Sequence, residues 1–117
     1  MKTFEIHEYL YDKKITAQVI SLNRGMHVSL CGGELSHIGA VTVISPEGIV
    51  ETIQFPGHKE GALAESWAKT FVEKGYLPVI VEAGIHYDKL GRDGIEAVLS
   101  LCRNMLSDVL VKLSDGE

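Results

Sequence analysis

The chain has 117 residues, 45% of them hydrophobic and 23% charged, with a formal net charge of −5. That composition suits a single domain, residues 1–117, with a core large enough to need neither disulfide nor metal as a staple. The acidic balance argues against nucleic acid, whose phosphate backbone favours a basic face, and no apolar run is long enough to span a bilayer.

The opening residues, Met1-Lys2-Thr3-Phe4-Glu5, lack the apolar centre of a signal peptide, so a cytoplasmic location is expected. Residues 3–10 and 14–22 read as strands joined by a hairpin turn at Tyr11-Asp12-Lys13. Ile15, Ala17 and Val19 alternate with Thr16 and Gln18, the period-two pattern of a half-buried strand. Asn23-Arg24-Gly25 turns the chain into a third alternating run, Met26, Val28, Leu30. A glycine-rich link, "CGGELSHIGA", precedes an apolar strand from Ala40 to Ile44. Ser45-Pro46-Glu47-Gly48 has proline and glycine where a β-turn accepts them, and a fifth strand at 49–55 would complete an antiparallel meander.

The period then changes. Leu63, Ala64, Trp67, Ala68 and Phe71 have helical spacing, giving a helix over about 59–74 that stops at Gly75, a C′ glycine. "YLPVIVEAG" supplies a buried strand at 77–83, with Pro78 confined to its start. A last helix carries Ile95, Val98, Leu99, Cys102, Leu106, Val109 and Leu113 at three- and four-residue steps, with Asp93 in its first turn. Only "SDGE", 114–117, reads as loose. The expected fold is α+β: a mainly antiparallel sheet, a strand meander followed by β-α-β-α, with two helices packed on one face.

Cys31 and Cys102 form no motif together. Cys102 falls on the apolar stripe of the last helix, and Cys31, beside Gly32-Gly33, has no neighbouring charge to favour a thiolate, so neither reads as a catalytic thiol. His7 and His27 sit within strands and are expected to face outward or to lie at an interface.

Three connectors carry more glycine and polar side chains than joining elements requires: "CGGELSHIG" (31–39), "PGHKEG" (56–61) and "EAGIHYDKLGRDG" (82–94). Each holds one histidine, His37, His58 and His86, and all three loops are expected to converge on one concave site. His58 and Lys59 fall at a helix start, where unpaired N–H groups and the macrodipole favour negative charge. Two cationic side chains there, beside the Gly57 backbone, suit a phosphate. The plain alternative sends both to solvent, with Glu60 balancing them. His37 could equally cap its loop through a backbone bond, and Asp88 can orient His86 only if that loop folds back. Arg92 and Asp93 offer a second version of the anion site at the last helix. Three histidines can also hold zinc or iron, but no HxH, HxxxH or CxxC pair raises that signal, and no metal ligand is assigned.

"HIGAV", "PGHKE" and "AGIHYD", in that order after a strand meander, resemble the small prenylated-flavin chaperone family that accompanies decarboxylases of the gallate decarboxylase type. The resemblance runs from about residue 14 to 110 and implies a fold akin to proteasome assembly chaperones. It implies binding of prenylated flavin mononucleotide (prenylated FMN, or FMN itself) and transfer to an apo-decarboxylase, with no catalysis by the carrier. Carried over by motif, the cofactor-site candidates are His37, Gly39, Gly57, His58, Lys59, Gly84 and His86. The resemblance makes the helix-start anion the flavin phosphate. The implied partners are the decarboxylase and, upstream, the flavin prenyltransferase; a homodimer is compatible with them. Two rivals remain: a small histidine- or metal-dependent enzyme using the same three loops, and a pure protein-assembly chaperone whose sheet edge or helix face binds a protein partner with no small ligand.

Overall fold

A computed structural model describes residues 1–115. Six strands and two helices follow one another as β1 (Lys2–Leu10), β2 (Lys13–Leu22), β3 (Gly25–Gly33), β4 (Ala40–Ile44), β5 (Val50–Gln54), α1 (Gly61–Glu73), β6 (Val79–His86) and α2 (Arg92–Ser114). The fold is α+β, with both helices contributing to one core on one face of a mainly antiparallel sheet. Of the stretch expected to be loose, Ser114 ends α2 and Asp115 caps it, while Gly116 and Glu117 lie outside the described residues.

Local signals build the elements much as the sequence suggests. Tyr11 and Asp12 both take left-handed backbone (φ 51° and 62°), the twist a two-residue hairpin needs to seat Leu10 opposite Lys13. Gly48 N–H donates to the Ser45 carbonyl at 2.8 Å, closing the expected β-turn. At the end of α1, Gly75 (φ +94°) donates to the Val72 carbonyl and Tyr76 to that of Phe71, the two bonds of a Schellman cap. The Tyr76 ring then meets Phe71 edge-on, with centroids 6.4 Å apart, which supplies the cap's apolar contact.

The core follows the two periods. Ile15, Ala17 and Val19 from β2 and Met26, Val28 and Leu30 from β3 turn to the helices and are buried, as are Ala64, Trp67, Ala68 and Phe71 along α1. On α2 the buried set is Val98, Cys102, Met105, Val109 and Leu113; Ile95 and Leu99, expected on that stripe, are exposed. The buried line steps by four, four, three, four and four from Gly94, and those two residues lie to one side of it.

One feature of the topology departs from the meander. The strand order is β1-β2-β3-β6-β4-β5, so the last strand enters between β3 and β4. It runs parallel to β3, with Met26 opposite Val79, and antiparallel to β4, with Ala40 opposite Ala83. The 34–39 link must therefore pass across the C-terminal end of β6 to reach β4. That crossing assembles the candidate site.

Candidate functional site

The crossing is pinned at both ends by backbone hydrogen bonds. Glu34 N–H donates to the His86 carbonyl at 2.7 Å, and Gly39 N–H donates to the Ala83 carbonyl at 2.9 Å. Between these ties the His37 carbonyl lies directly over Gly84, where an added Cβ would come within 1.8 Å of it. Gly84 is thus a surface for another backbone rather than a ligand-facing position. Gly39 is crowded for a different reason: a Cβ there would sit 2.4 Å from the Glu60 carboxylate.

The second loop approaches from the other side. His58 N–H donates to the Phe55 carbonyl at 3.1 Å, and Phe55 N–H to the Gly39 carbonyl at 2.9 Å, so this turn is tied to the crossing link. Gly57 adopts φ +82°, which accounts for glycine there. The helix begins two residues later than the sequence suggests, at Gly61, with Glu60 as its N-cap. Gly61 N–H donates to Gln54 Oε1 and Lys59 N–H to Glu60 Oε2, each at 2.9 Å.

The Glu60 carboxylate turns back into the space beside the histidines. His37 Nε2 lies 3.2 Å from Glu60 Oε1 and His58 Nδ1 3.8 Å from Oε2. The His37 and His58 rings lie at a tilt of 33° with centroids 4.8 Å apart, and His86 stands edge-on to His37 at 6.4 Å. The negative charge nearest the helix start is the chain's own. Glu60 thus stands beside His58, where the plain alternative placed a balancing charge. His58 and Lys59 do line one open pocket of about 560 Å³ with His37, Gly57, Glu60 and His86.

The third loop folds back as the His86–Asp88 pairing requires. His86 is the last residue of β6, not a loop residue, and its Nε2 is 2.9 Å from Asp88 Oδ1. Asp88 N–H in turn donates to Glu34 Oε2 at 2.6 Å. The hydrogen bond from His86, joined by one involving Glu34, holds the Asp88 carboxyl below its usual titration range. Arg92 opens α2, but Asp93 in the first turn already answers that helix's dipole. Arg92 and Asp93 line a separate hollow of about 500 Å³ with Tyr11, Glu34 and Tyr87, and so are not brought to His37. Tyr87 O–H donates to the Leu10 carbonyl at 2.9 Å, fastening this loop to the first hairpin.

Of the seven candidates, His37, Gly57, His58, Lys59 and His86 line one pocket, while Gly39 and Gly84 sit behind it and permit its close backbone packing. Glu60, named from sequence only as a balancing charge, and Glu34, not singled out there, complete the network. Glu60 had one available signal, an acidic residue at a helix N-terminus. The expected outward strand histidines behave as structural partners on the open face: His7 meets Thr16 and Glu5, and His27 pairs with Glu82 on the adjacent strand. Cys31 is half-buried and Cys102 buried, with burial pushing the Cys102 thiol up to about 12. No described helix is long and apolar enough to cross a membrane.

The pocket offers imidazole rings for stacking and hydrogen bonding, a lysine at its rim, and an open mouth. A family model described as the prenylated flavin chaperone LpdD-like domain matches residues 10–114. The chain is also similar to Protein LpdD of Lactiplantibacillus plantarum, at 25% identity over 115 residues, covering 94% of this chain and 83% of that one. With the family model spanning nearly all of the described fold, the chain belongs to the LpdD-like prenylated flavin chaperones.

Proposed function

We propose that this protein binds prenylated FMN in the His37–His58–His86 pocket, holds it, and delivers it to an apo-decarboxylase without catalysis of its own. The observation that carries this is the convergence of three histidine loops on one pocket of about 560 Å³, in the size range of cofactor sites. The rings of His37 and His58 supply a surface for a flat isoalloxazine-type ring system. Lys59, exposed and lining the pocket, supplies a point charge for the phosphate. Gly57, Gly39 and Gly84 serve indirectly, by shaping the backbone that presents these groups. An open site suits a carrier, which must shield its cargo and still release it.

The same reading makes the chain a cytoplasmic, single-domain accessory protein, receiving cofactor from a flavin prenyltransferase and passing it to the decarboxylase. Reconstitution tests it. Loaded protein mixed with apo-decarboxylase should restore aromatic-acid decarboxylation faster, or to higher yield, than the same limiting amount of free cofactor. His58→Ala and His86→Ala should reduce that gain while leaving the fold intact. Equal reconstitution with and without this protein would remove the carrier role. Turnover of aromatic acid by the loaded protein alone would remove the non-catalytic one.

A further inference from the structure

We propose that His37, His58 and Glu60 form a binding site for one divalent transition-metal ion of the zinc or cobalt class. The site stands independently of any flavin. Its strongest support is the direction of the His37 ring. His37 Nδ1 lies 3.0 Å from the Leu35 carbonyl oxygen, which can only accept, so Nδ1 carries the hydrogen. In the neutral ring the lone pair is then on Nε2, and Nε2 faces Glu60 Oε1, a second acceptor, at 3.2 Å. Two lone-pair atoms facing one another need a cation between them: a proton, making an imidazolium–carboxylate pair, or a metal ion.

Three further observations favour the metal. His58 Nδ1 adds a second nitrogen, 3.8 Å from Glu60 Oε2, and one ligand atom from each of the three residues lies within 4.8 Å of the others. Four ligands at about 2.0–2.1 Å around a tetrahedral ion stand about 3.3 Å apart, so modest rotations of His58 and Glu60 close the set. Both inner ligands are braced from behind, His37 by the Leu35 carbonyl and Glu60 by the Lys59 N–H. Such outer hydrogen bonds are what hold metal-binding imidazoles and carboxylates in register. Finally, the His37 and Glu60 side chains are only 16% and 14% exposed, whereas the neighbouring Glu34, His86 and Asp88 group is exposed. Two imidazoles with one carboxylate select borderline metals over magnesium or calcium, and leave coordination positions open toward the pocket.

The test uses the full chain, freed of metal by chelation, titrated at neutral pH with Co²⁺ and then Zn²⁺. One equivalent of Co²⁺ should bind with visible ligand-field bands that Zn²⁺ abolishes. Losing an outer partner costs about 10–100-fold in metal affinity, so Glu60→Gln, which keeps the side chain's shape, should weaken binding by about tenfold or more. His37→Ala should do the same, and if that variant unfolds, Glu60→Gln decides. Asp88→Asn should leave the affinity within about twofold of the parent, well short of that loss. Absence of saturable one-equivalent uptake would overturn the site and leave the proton as the bridging cation. Weakening by Asp88→Asn but not by Glu60→Gln would overturn it equally.

Discussion

Adding one methyl group at Gly84 should be among the most damaging single changes to this protein. The new Cβ would lie 1.8 Å from the His37 carbonyl oxygen, 2.5 Å from its carbon and 3.2 Å from the Gly39 nitrogen, all backbone atoms. The crossing link cannot yield without stretching its hydrogen bond from Gly39 N–H to Ala83. Forced overpacking costs about 1–3 kcal/mol and a lost hydrogen bond about 0.5–1.5 kcal/mol, so Gly84→Ala should destabilise by about 2–4 kcal/mol. In a chain of this size that is a fall in Tm of about 8–16 °C. Gly91→Ala is the control: Gly91 has an ordinary φ of −85° and nothing within 4 Å of its would-be Cβ. Loss of a favoured cap residue and reduced freedom of the unfolded chain act in opposite directions there, leaving a net change within about 1 kcal/mol. Urea unfolding followed by Trp67 fluorescence reads both variants, with equal m-values confirming a pure stability change. Gly84→Ala melting within about 3 °C of the parent would refute the close crossing of the link over β6, and with it the account of how His37 reaches the other histidines.

Asp88 titrates below the usual carboxylate range because His86 donates to it. A depressed pKa contributes stability above the unfolded value of about 3.9 and loses it as pH falls through the folded value, so the 86–88 loop should loosen only in acid. Carboxyl NMR titration of His86→Ala should move the Asp88 midpoint up toward the unfolded value; an unmoved midpoint would break the pairing. The two thiols should separate under a disulfide-exchange reagent near pH 8. Half-buried Cys31 reacts in the folded protein, whereas Cys102, pushed up to about 12 by burial, reacts only once the chain unfolds. Equal rates in the folded state would contradict the packing of α2.

The sequence by itself determined the parts of this protein that depend on local backbone geometry. Period-two alternation marked β2 and β3, three- and four-residue steps marked α1 and α2, and Gly75 and Gly48 marked their cap and turn. These signals are local because each concerns residues that stay neighbours in any fold. Motif order likewise carried the family, since "HIGAV", "PGHKE" and "AGIHYD" keep their order whatever their spatial arrangement. Strand order was not determined. An apolar run such as 79–83 can occupy any central slot, and its choice of place between β3 and β4 rests on pairing with residues 35 to 53 positions away. That one insertion brought the three histidine loops onto a common pocket. It also turned Gly84 into a bed for the His37 backbone. The identity of the charge at the helix start was equally a tertiary matter. His58, Lys59 and Glu60 are adjacent in sequence, yet Glu60 meets His37 from 23 positions away. Only the approach of the crossing link, fixed at Glu34 and Gly39, puts the His37 imidazole within reach of that carboxylate.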